Sequence, residues 1–498
     1  MENQENYSII IFGATGDLTK RKLIPGLFKL FIKGMLSKKT PIICVSRRDI
    51  STKEFIQLLE SDKFVPELKL KANKARFTEF LKQIKYCRLN MESPNIQEFS
   101  DFLLLIDKNY GCQGNKIFYL SLSPVLFEPI VKIIEKISRK RHGWRKIVFE
   151  KPYGLDFESA RKLNKCVSDV FDESEIFRID HYLGKELVQT ILTFRFANSI
   201  FENVWNSNFI DHVEITVAED IGIENRASYY EEMGAIRDMI QNHILQILCL
   251  VTMDSPRSMH SEHIRDEKMR IMGSIKNVLQ ENLVVGQYGA GIVDGKMVSS
   301  YRDEKGVSKL SETETFAALK LYIDNKRWRE VPFYIRTGKR LAKKYAEVNL
   351  VLKDVSTKLF KSQEKYLGHN VITIRIQPDE GIAITFNAKY PGSKMKLHPV
   401  VMDFCHSCLF GANTPEAYEF LFSEIIEGDQ TLFTRWDWLE KSWIFTDDLL
   451  KKAKSMKKNF PNYKAGTMGP AETNKLIENE SHNWIYSRNT ATTRMNTN

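Results

Sequence analysis

The feature that most constrains the fold is a short apolar strand near the N-terminus that ends in a glycine turn. Residues 7–12 read Tyr-Ser-Ile-Ile-Ile-Phe, a β-branched run typical of a buried strand in a parallel sheet. Gly13-x-x-Gly16 follows, then a helical pattern, then a second apolar run at residues 41–45. Strand, glycine turn, helix and strand within about forty residues predict a βαβ unit.

The rest of the chain extends this unit and then changes character. Further apolar runs at 116–121 and 146–150 alternate with helical stretches, which predicts an α/β domain with a Rossmann-like doubly wound parallel sheet over residues 1–183. Later strands follow one another with few helices between them, which predicts an α+β domain with a mainly antiparallel sheet over residues 184–480. Residues 481–498 are rich in Asn, Thr and Ser and are predicted to form a flexible tail.

Composition sets limits on the class of protein. A chain of 498 residues is too long for one hydrophobic core, and 43% hydrophobic with 27% charged residues excludes general disorder. The net charge of +10 suits anionic small substrates about as well as nucleic acid. No apolar run approaches a membrane span and no signal peptide is evident, so a cytoplasmic protein is expected. The seven cysteines are expected to be reduced, with Cys405 and Cys408 in the core.

The glycine turn and the end of the second strand predict a nucleotide site. Glycines permit a sharp turn and let a helix N-terminus approach a pyrophosphate, although a purely structural turn remains open. The second strand ends in Ser46-Arg47-Arg48, where NAD-binding proteins place an acidic residue. Forked guanidinium donors suit a 2′-phosphate, so NADP is the predicted cofactor. The alternative is that both arginines are solvated.

Five segments together resemble the motifs of the glucose-6-phosphate dehydrogenase family, in the family's order and over nearly the whole chain. The segments are Gly13-Ala-Thr-Gly-Asp-Leu-Thr-Lys-Arg-Lys22, Glu150-Lys-Pro-Tyr-Gly154, Arg178-Ile-Asp-His-Tyr-Leu-Gly-Lys-Glu186, Arg237-Asp-Met-Ile-Gln-Asn-His243 and Val331-Pro-Phe-Tyr-Ile-Arg-Thr-Gly-Lys339. The resemblance implies oxidation of D-glucose 6-phosphate at C1 to 6-phospho-D-glucono-1,5-lactone with NADP, the first step of the oxidative pentose phosphate pathway. It also implies a homodimer or homotetramer built on the large sheet. No metal is expected, because a general base can supply the deprotonation.

His243 is the candidate general base for this chemistry. Helical spacing places it among Ile236, Met239 and Ile247, and apolar neighbours tend to keep an imidazole neutral, the state that a base requires. A hydrogen-bonded core histidine is the alternative. The resemblance implies that Asp180 is the carboxylate that orients His243.

The run from Arg178 to Glu186 is the candidate phosphate site. His181, Tyr182 and Lys185 offer hydrogen-bond donors for a phosphate dianion, whereas Asp180 would repel it and should face elsewhere. Asp180 could instead cap a helix, but Gly184 would then lie awkwardly in the first turn, which favours a tight loop.

The remaining roles are implied by the resemblance alone, since a lone lysine is usually a solvated one. Residues expected at the sugar or close to it are Lys22, Lys151, Glu219, Asp238 and Lys339. Residues expected at the cofactor are Gly13, Thr15, Gly16, Asp17, Leu18, Arg47, Arg48, Lys151 and Pro152. The second, structural NADP site of some eukaryotic members is not carried over, because Tyr345 and Asn349 stand where those members have cations.

Two other classes of protein were weighed. A non-catalytic NADP-binding or scaffold protein on the same fold would be favoured by an inactivating change at Asp180, His181 or His243, and none is present. A nucleic-acid binder is suggested by the charge and by the lysine-rich run 451–458, but that run lacks interleaved aromatic residues. A solvated helix face explains it better, so no nucleic acid and no membrane partner are expected.

Overall fold

The structure, a computed structural model, describes residues 5–61, 74–138, 143–355, 359–360, 367–393, 396–410, 417–456, 459–480 and 482–485. Its strands are β1 Ser8–Phe12, β2 Ile42–Ser46, β3 Ile84–Arg88, β4 Lys116–Leu120, β5 Arg145–Phe149, β6 Ile176–Arg178, β7 Ile210–Ala218, β8 Leu283–Gly286, β9 Tyr288–Gly289, β10 Gly291–Val293, β11 Lys296–Val298, β12 Phe316–Tyr322, β13 Pro332–Gly338, β14 Tyr345–Leu352, β15 Val371–Gln377, β16 Gly381–Lys389, β17 Leu397–Cys405 and β18 Tyr463–Lys464.

The helices are α1 Ile24–Ile32, α2 Thr52–Glu60, α3 Lys74–Leu81, α4 Ile96–Tyr110, α5 Phe127–Ser138, α6 Phe157–Ser168, α7 Glu186–Phe196, α8 Ser199–Glu202, α9 Ala227–Ala235, α10 Leu245–Thr252, α11 Ser261–Ser274, α12 His406–Phe410, α13 Ala417–Glu427, α14 Trp436–Ser455 and α15 Glu472–Glu478. Two π-helical segments precede α1 and α10, at Thr19–Leu23 and Ile236–Ile244. Within the described ranges no helix combines the length and the hydropathy that crossing a bilayer requires.

The first sheet has six strands in the order β3-β2-β1-β4-β5-β6, all parallel. Every residue of β1, β2 and β4 is buried, as expected where helices cover both faces of a sheet. The strand order reverses between β1 and β4, which is where open α/β sheets bind their ligands. The predicted Rossmann-like fold is therefore confirmed.

The second sheet has eight strands in the order β17-β16-β15-β14-β7-β13-β12-β8. β7 and β13 are parallel, and every other neighbouring pair is antiparallel. The predicted mainly antiparallel sheet is confirmed. The π-helical segment 236–244 contacts β13, which places the predicted His243 motif beside this sheet.

The chain forms two compact units that are not contiguous in sequence. The first comprises residues 1–189, 253–270 and 414–444, and the second comprises 190–252, 271–413 and 445–498. The boundary predicted at 183/184 lies close to the first change of unit and stays a prediction. NADP binding by residues 1–183, and substrate binding and dimerisation by residues 184–480, are likewise expectations. Of the predicted tail 481–498, only residues 482–485 are described, and Trp484 among them is buried.

The prediction for Cys405 and Cys408 is wrong, because the two are joined by a disulfide at the end of β17. Cys408 is exposed and therefore does not belong to a core. The other five cysteines are free, as expected.

Candidate active site

The glycine turn lies directly after β1, in the first unit. Gly13 has φ +87°, and a Cβ at this position would lie 1.9 Å from the carbonyl oxygen of Ser121, which follows β4. Thr19 donates a hydrogen bond to the Gly13 carbonyl at 3.2 Å, and the Gly16 amide donates to the same carbonyl at 2.9 Å. The turn is thus held closely against the next strand at the reversal of strand order, and it fits a dinucleotide pyrophosphate.

The other predicted cofactor residues lie beside this turn. The hydroxyls of Thr15 and Ser46 are 3.2 Å apart, which connects the turn to the end of β2. Arg47 and Arg48 are exposed, and the Arg48 carbonyl accepts a hydrogen bond from Tyr86 at 2.7 Å. Both guanidinium groups are therefore accessible to a ligand, which is compatible with a 2′-phosphate site and with simple solvation.

The start of the helical segment carries three more predicted residues. Asp17 is exposed and forms an ion pair with Arg21 at 2.9 Å, and Leu18 is partly buried just before the π-helical segment. Lys22 is partly buried in the last turn of that segment. These residues lie within one turn or two of the glycine turn, so all belong to the same side of the first sheet.

Lys151 and Pro152 follow β5 and are joined by a cis peptide bond. The preceding residue, Glu150, accepts hydrogen bonds from the hydroxyls of Tyr119 at 2.5 Å and Tyr418 at 3.4 Å. Burial raises the pKa of Glu150 to about 7, although these hydrogen bonds act in the opposite direction. A carboxyl that is poised between its two protonation states thus adjoins the predicted substrate and cofactor residues.

The segment after Pro152 is fixed by its neighbours. Trp443 donates a hydrogen bond from Nε1 to the Tyr153 carbonyl at 3.0 Å, and the Arg178 guanidinium lies 4.9 Å from the centre of the Tyr153 ring. Gly154 has φ +86°, and a Cβ there would meet Ala160 backbone atoms at 2.7 Å. These contacts define the path of the chain that carries Lys151.

The run from Arg178 to Glu186 forms the tight loop that its glycine predicts. Asp180 Oδ1 accepts a hydrogen bond from the Tyr182 amide at 2.9 Å, and the Lys185 amide donates to the Tyr182 carbonyl at 3.1 Å. Because α7 begins only at Glu186, Asp180 closes a turn and does not cap the helix. A Cβ on Gly184 would lie 3.1 Å from the Ala417 carbonyl oxygen, so the loop packs closely.

The loop brings the predicted phosphate ligands together. The rings of His181 and Tyr182 are 5.2 Å apart between centres, and the Lys185 ammonium lies 4.0 Å from the centre of the Tyr182 ring. His181 and Lys185 are partly exposed, whereas Tyr182 is buried. An imidazole, a phenol and an ammonium group thus share one small patch, which is a suitable donor set for an anion.

The second unit holds the remaining predicted residues, and it pairs two of them. Lys339 directly follows β13, and its ammonium forms an ion pair with Glu219 at 2.6 Å. The same ammonium lies 5.0 Å from the centre of the Tyr230 ring, and Lys339 is only 2% exposed. This buried lysine is therefore not the solvated lysine that its type alone suggests.

Asp238 and His243 lie on the segment 236–244. The sequence predicts one regular helix here, but the chain kinks at Gly234, with φ +62°, and continues as a π-helix. Asp238 accepts a hydrogen bond from the Tyr229 hydroxyl at 3.2 Å, while His243 is buried. π-Helical turns are common at functional sites because they change which side chains share a face.

Sequence reasoning missed three residues that adjoin these groups. Glu150 belongs to one of the five matching segments, but the sequence predicts no role for it. The sequence likewise predicts no role for Tyr229 and Tyr230. The Tyr-Tyr pair four to five residues before Gly234 is a weak signal by itself. The Glu150 contact with Tyr418 joins residues that are 268 positions apart, which no local pattern reveals.

Comparisons with known proteins cover nearly the whole chain. Residues 10–190 match the family model described as glucose-6-phosphate dehydrogenase, NAD binding domain, and residues 192–485 match the one for the C-terminal domain of the same enzyme. Glucose-6-phosphate 1-dehydrogenase of Chlamydia pneumoniae is 42% identical over 96% of this chain and 95% of its own length. The Bacillus subtilis protein of that name is 40% identical over 96% of this chain and 97% of its own.

Solved structures give the same result. The structure of a glucose-6-phosphate dehydrogenase in complex with its substrate glucose-6-phosphate matches with a TM-score of 0.89 and 32% identity, over 98% of this chain and all of that one. Glucose-6-phosphate 1-dehydrogenase from Mycobacterium avium matches with a TM-score of 0.82 and 31% identity, over 97% and 99% of the two chains.

Proposed function

Since this chain belongs to the glucose-6-phosphate dehydrogenase family, we propose that it oxidises D-glucose 6-phosphate at C1 to 6-phospho-D-glucono-1,5-lactone with NADP as the hydride acceptor. The reaction is the first step of the oxidative pentose phosphate pathway. The observation that carries the proposal is the donor patch of His181, Tyr182 and Lys185 on one tight loop. This loop lies at the same edge of the first sheet as the glycine turn.

The position of these groups supports a shared site in the first unit. The glycine turn follows β1, Arg47 follows β2, Lys151 follows β5 and the loop with Asp180 follows β6. The carboxyl ends of parallel strands meet at one edge of a sheet, so these four segments lie along the same edge. A nucleotide and an anionic sugar could then be bound side by side.

The phosphate of the substrate is assigned to the loop. Lys185 supplies a charge, and His181 and the Tyr182 hydroxyl supply directional donors, so the phosphate would fix one end of the sugar. Asp180 is held by the Tyr182 amide in the same loop, and a carboxylate does not bind a phosphate dianion. We therefore assign Asp180 to the base.

Proton removal is assigned to His243. Its buried position favours the neutral imidazole, which can accept the proton of the C1 hydroxyl as C1 loses hydride. The imidazolium that forms is stabilised by the Asp180 carboxylate, an interaction that is stronger in the transition state than in the ground state. NADP, when bound, accepts the hydride. The removal of the proton by His243 requires no metal ion.

The ring and its hydroxyl groups are assigned to five residues that the family resemblance implies. Lys151, Lys22, Glu219, Asp238 and Lys339 would donate to or accept from these hydroxyls. The Lys339–Glu219 ion pair supports this role, because a buried cation that is already paired with a partly exposed carboxylate offers a preformed polar surface. Pro152 would shape the nicotinamide pocket.

Cofactor choice is assigned to the end of β2. The family model names an NAD-binding domain, which gives a nicotinamide cofactor. The finer choice of NADP rests on Arg47 and Arg48, whose exposed guanidinium groups lie where an acidic residue would bind the ribose diol of NAD. Gly13, Thr15, Gly16, Asp17 and Leu18 would cradle the pyrophosphate.

The assembly and the compartment are also proposals. The outer strands of the second sheet expose several large apolar side chains, with Phe386, Val401 and Met402 among them, which supports burial against a second copy of the chain. We assign a homodimer, or a tetramer made from it, and a cytoplasmic location.

One assay tests class, substrate and cofactor together. Purified full-length protein is mixed with glucose 6-phosphate and either NADP or NAD, and the absorbance of the reduced nicotinamide is followed. Turnover with NADP that exceeds turnover with NAD is expected. Glucose and fructose 6-phosphate are the matched controls for the phosphate and for the C1 hemiacetal. A protein that binds NADP without turnover would be the non-catalytic alternative.

A further inference from the structure

A cluster of histidine and aspartate side chains lies in the second unit and contains none of the residues assigned above. It consists of Asp211 and His212 at the start of β7 and of His482 in residues 482–485, which we call the C-terminal segment. We call the three side chains the histidine–aspartate cluster. His212 Nδ1 lies 2.8 Å from Asp211 Oδ2, and His482 Nε2 lies 2.9 Å from the same oxygen. The three ligand atoms all lie within 4.8 Å of one another.

The two imidazoles differ at their other nitrogens. His482 Nδ1 lies 3.0 Å from the Tyr334 hydroxyl, whereas His212 Nε2 is buried 3.4 Å from Glu214 Oε1 without a hydrogen bond among the described residues. The tyrosine hydroxyl orients the His482 ring with its near nitrogen directed at Asp211. Histidines that bind metal ions almost always have this second interaction, which fixes both the tautomer and the ring orientation.

The charge of the cluster also favours a cation. Glu214 is fully buried and His212 is 3% exposed, and Glu480 and His369 also interact electrostatically with the cluster. Across the described residues neither Asp211 nor Glu214 forms an ion pair with a lysine or an arginine. Two carboxylates beside two imidazoles favour positive charge in this buried site, because an uncompensated buried carboxylate is costly.

The spacing fits a small transition-metal ion. Ligand atoms bound at about 2.0–2.2 Å to one tetrahedral zinc lie about 3–4 Å apart. The separations of 2.8 and 2.9 Å to Asp211 Oδ2 are a few tenths of an ångström below this range. A small rotation of the Asp211 carboxylate therefore makes room for the ion. The two rings are stacked at 4.2 Å, with an angle of 20° between their planes, so one ring must also tilt for both nitrogens to reach the same ion.

We infer that Asp211, His212 and His482 form a binding site for one divalent transition-metal ion, with zinc as the preferred occupant. Two imidazoles and one carboxylate favour zinc over calcium or magnesium, which prefer oxygen ligands alone. Water completes the fourth position. The ion attaches the C-terminal segment to β7 and has no part in the sugar chemistry.

Other contacts of the same segment show what the ion would reinforce. The Ile485 amide donates to Glu214 at 3.1 Å, and the Arg336 guanidinium lies 4.0 Å from the centre of the Trp484 ring. A metal ion bound by His482, Asp211 and His212 would attach the first residue of the C-terminal segment to β7 more strongly than these contacts do. The predicted effect of zinc is therefore on stability.

The test uses full-length protein freed of metal with a chelator and then titrated with zinc. We expect a single site, and a melting temperature that rises with zinc concentration. His212→Gln and His482→Gln should each weaken binding by at least about 100-fold, because each removes a ligand. His398→Gln, which removes a histidine on β17 outside the cluster, is the matched control and should bind zinc as the unaltered chain does. Cobalt in place of zinc should give the visible absorption of a four-coordinate ion, and His482→Gln should lose it.

Two results would overturn the inference. One is the absence of zinc binding in the unaltered chain, which would leave the cluster as a hydrogen-bonded network around Asp211. The other is zinc binding that is equally tight in His482→Gln. His482 is less buried than His212, so His482→Gln still decides the question if His212→Gln fails to fold. Because no substrate is used, the outcome is independent of the proposed dehydrogenase activity.

Discussion

At the scale of single residues, His243 carries the proton step of the proposed reaction. His243→Asn keeps a polar side chain of similar size but removes the basic nitrogen. We expect kcat to fall by about 10²–10⁴, the usual contribution of a general base, while the Michaelis constant for glucose 6-phosphate changes little. Steady-state kinetics measures both. His398→Gln should leave both unchanged, and near-normal turnover in His243→Asn would remove this residue from the role.

The two exposed arginines after β2 give a second prediction at this scale. Replacing both Arg47 and Arg48 by Ala removes the donors proposed for the 2′-phosphate, each worth about 1.5–3 kcal/mol as a charge-assisted hydrogen bond. The Michaelis constant for NADP should rise at least about 10-fold, while that for NAD changes much less. Kinetics with both cofactors, at the same glucose 6-phosphate concentration, measures the ratio. Equal losses for NADP and NAD would indicate two solvated arginines. Arg161→Ala, on the exposed face of α6, is the control.

The sequence identifies individual residues well where their role depends on local chain geometry. Gly13 is predictable because only glycine tolerates its φ and the close Ser121 carbonyl. Lys339 and Glu219 were assigned only by resemblance, and the structure adds that they form an ion pair in which the lysine is buried. Glu150 could not be predicted, because its hydroxyl partners come from β4 and α13.

At the scale of elements, the turn between β1 and α1 sets the approach of the nucleotide. Gly13→Ala places a Cβ 1.9 Å from the Ser121 carbonyl and also strains a positive φ. Gly34 is a matched control, because it has φ +75° with no atom within 4 Å of its added Cβ. Gly34→Ala should cost about 1–2 kcal/mol of unfolding free energy, from the φ alone. Gly13→Ala should cost clearly more and should also abolish NADP binding. Urea unfolding and NADP titration measure the two effects, and equal costs would contradict the close packing of the turn.

Glu150, directly after β5, gives a prediction for the pH dependence of stability. Burial raises the pKa of Glu150 from 4.5 to about 7, so the folded chain keeps a proton that the unfolded chain has lost. Folding therefore takes up a proton between these pKa values, and the contribution of Glu150 to stability falls as the pH rises through that range. Glutamine does not titrate, so Glu150→Gln does not lose stability in this way. The difference in melting temperature, Glu150→Gln minus the unaltered chain, should therefore increase from about pH 5 to about pH 8. Glu158→Gln, at an exposed position, should show no such trend. Parallel pH profiles for Glu150→Gln and the unaltered chain would contradict the raised pKa.

The elements themselves were predictable to different extents. β1, β2 and β4 are short, wholly apolar runs, and their periodicity is enough to identify them. The π-helical segment 236–244 was not predictable, because its apolar spacing also fits a regular helix. The kink is set by packing: Glu314 accepts a hydrogen bond from the Ile236 amide at 3.2 Å, a contact between residues 78 positions apart.

At the scale of the whole molecule, the linear order of the sequence misleads. Residues 253–270 and 414–444 belong to the first compact unit although they follow parts of the second. Arg178 shows why: its guanidinium donates to the Thr434 carbonyl at 3.3 Å, so the end of β6 is fixed by a segment 256 residues later. Composition and periodicity describe each segment by itself and carry no information about such pairings.

The last prediction concerns the proposed homodimer, whose interface we assign to the outer strands of the second sheet. Ile384 pairs with Met402 and Phe386 with Val400 across β16 and β17, so Phe386 and Met402 lie on the same face. Met402 is 62% exposed, and β17 is an edge strand. Met402→Lys puts a charge into the proposed interface and should convert the dimer to monomer at low micromolar concentration, because a buried unpaired charge costs several kcal/mol. Light scattering after size-exclusion chromatography measures the mass. Leu310→Lys, at another exposed apolar position, should stay dimeric. A Met402→Lys protein that stays dimeric would place the interface on a different surface of the chain.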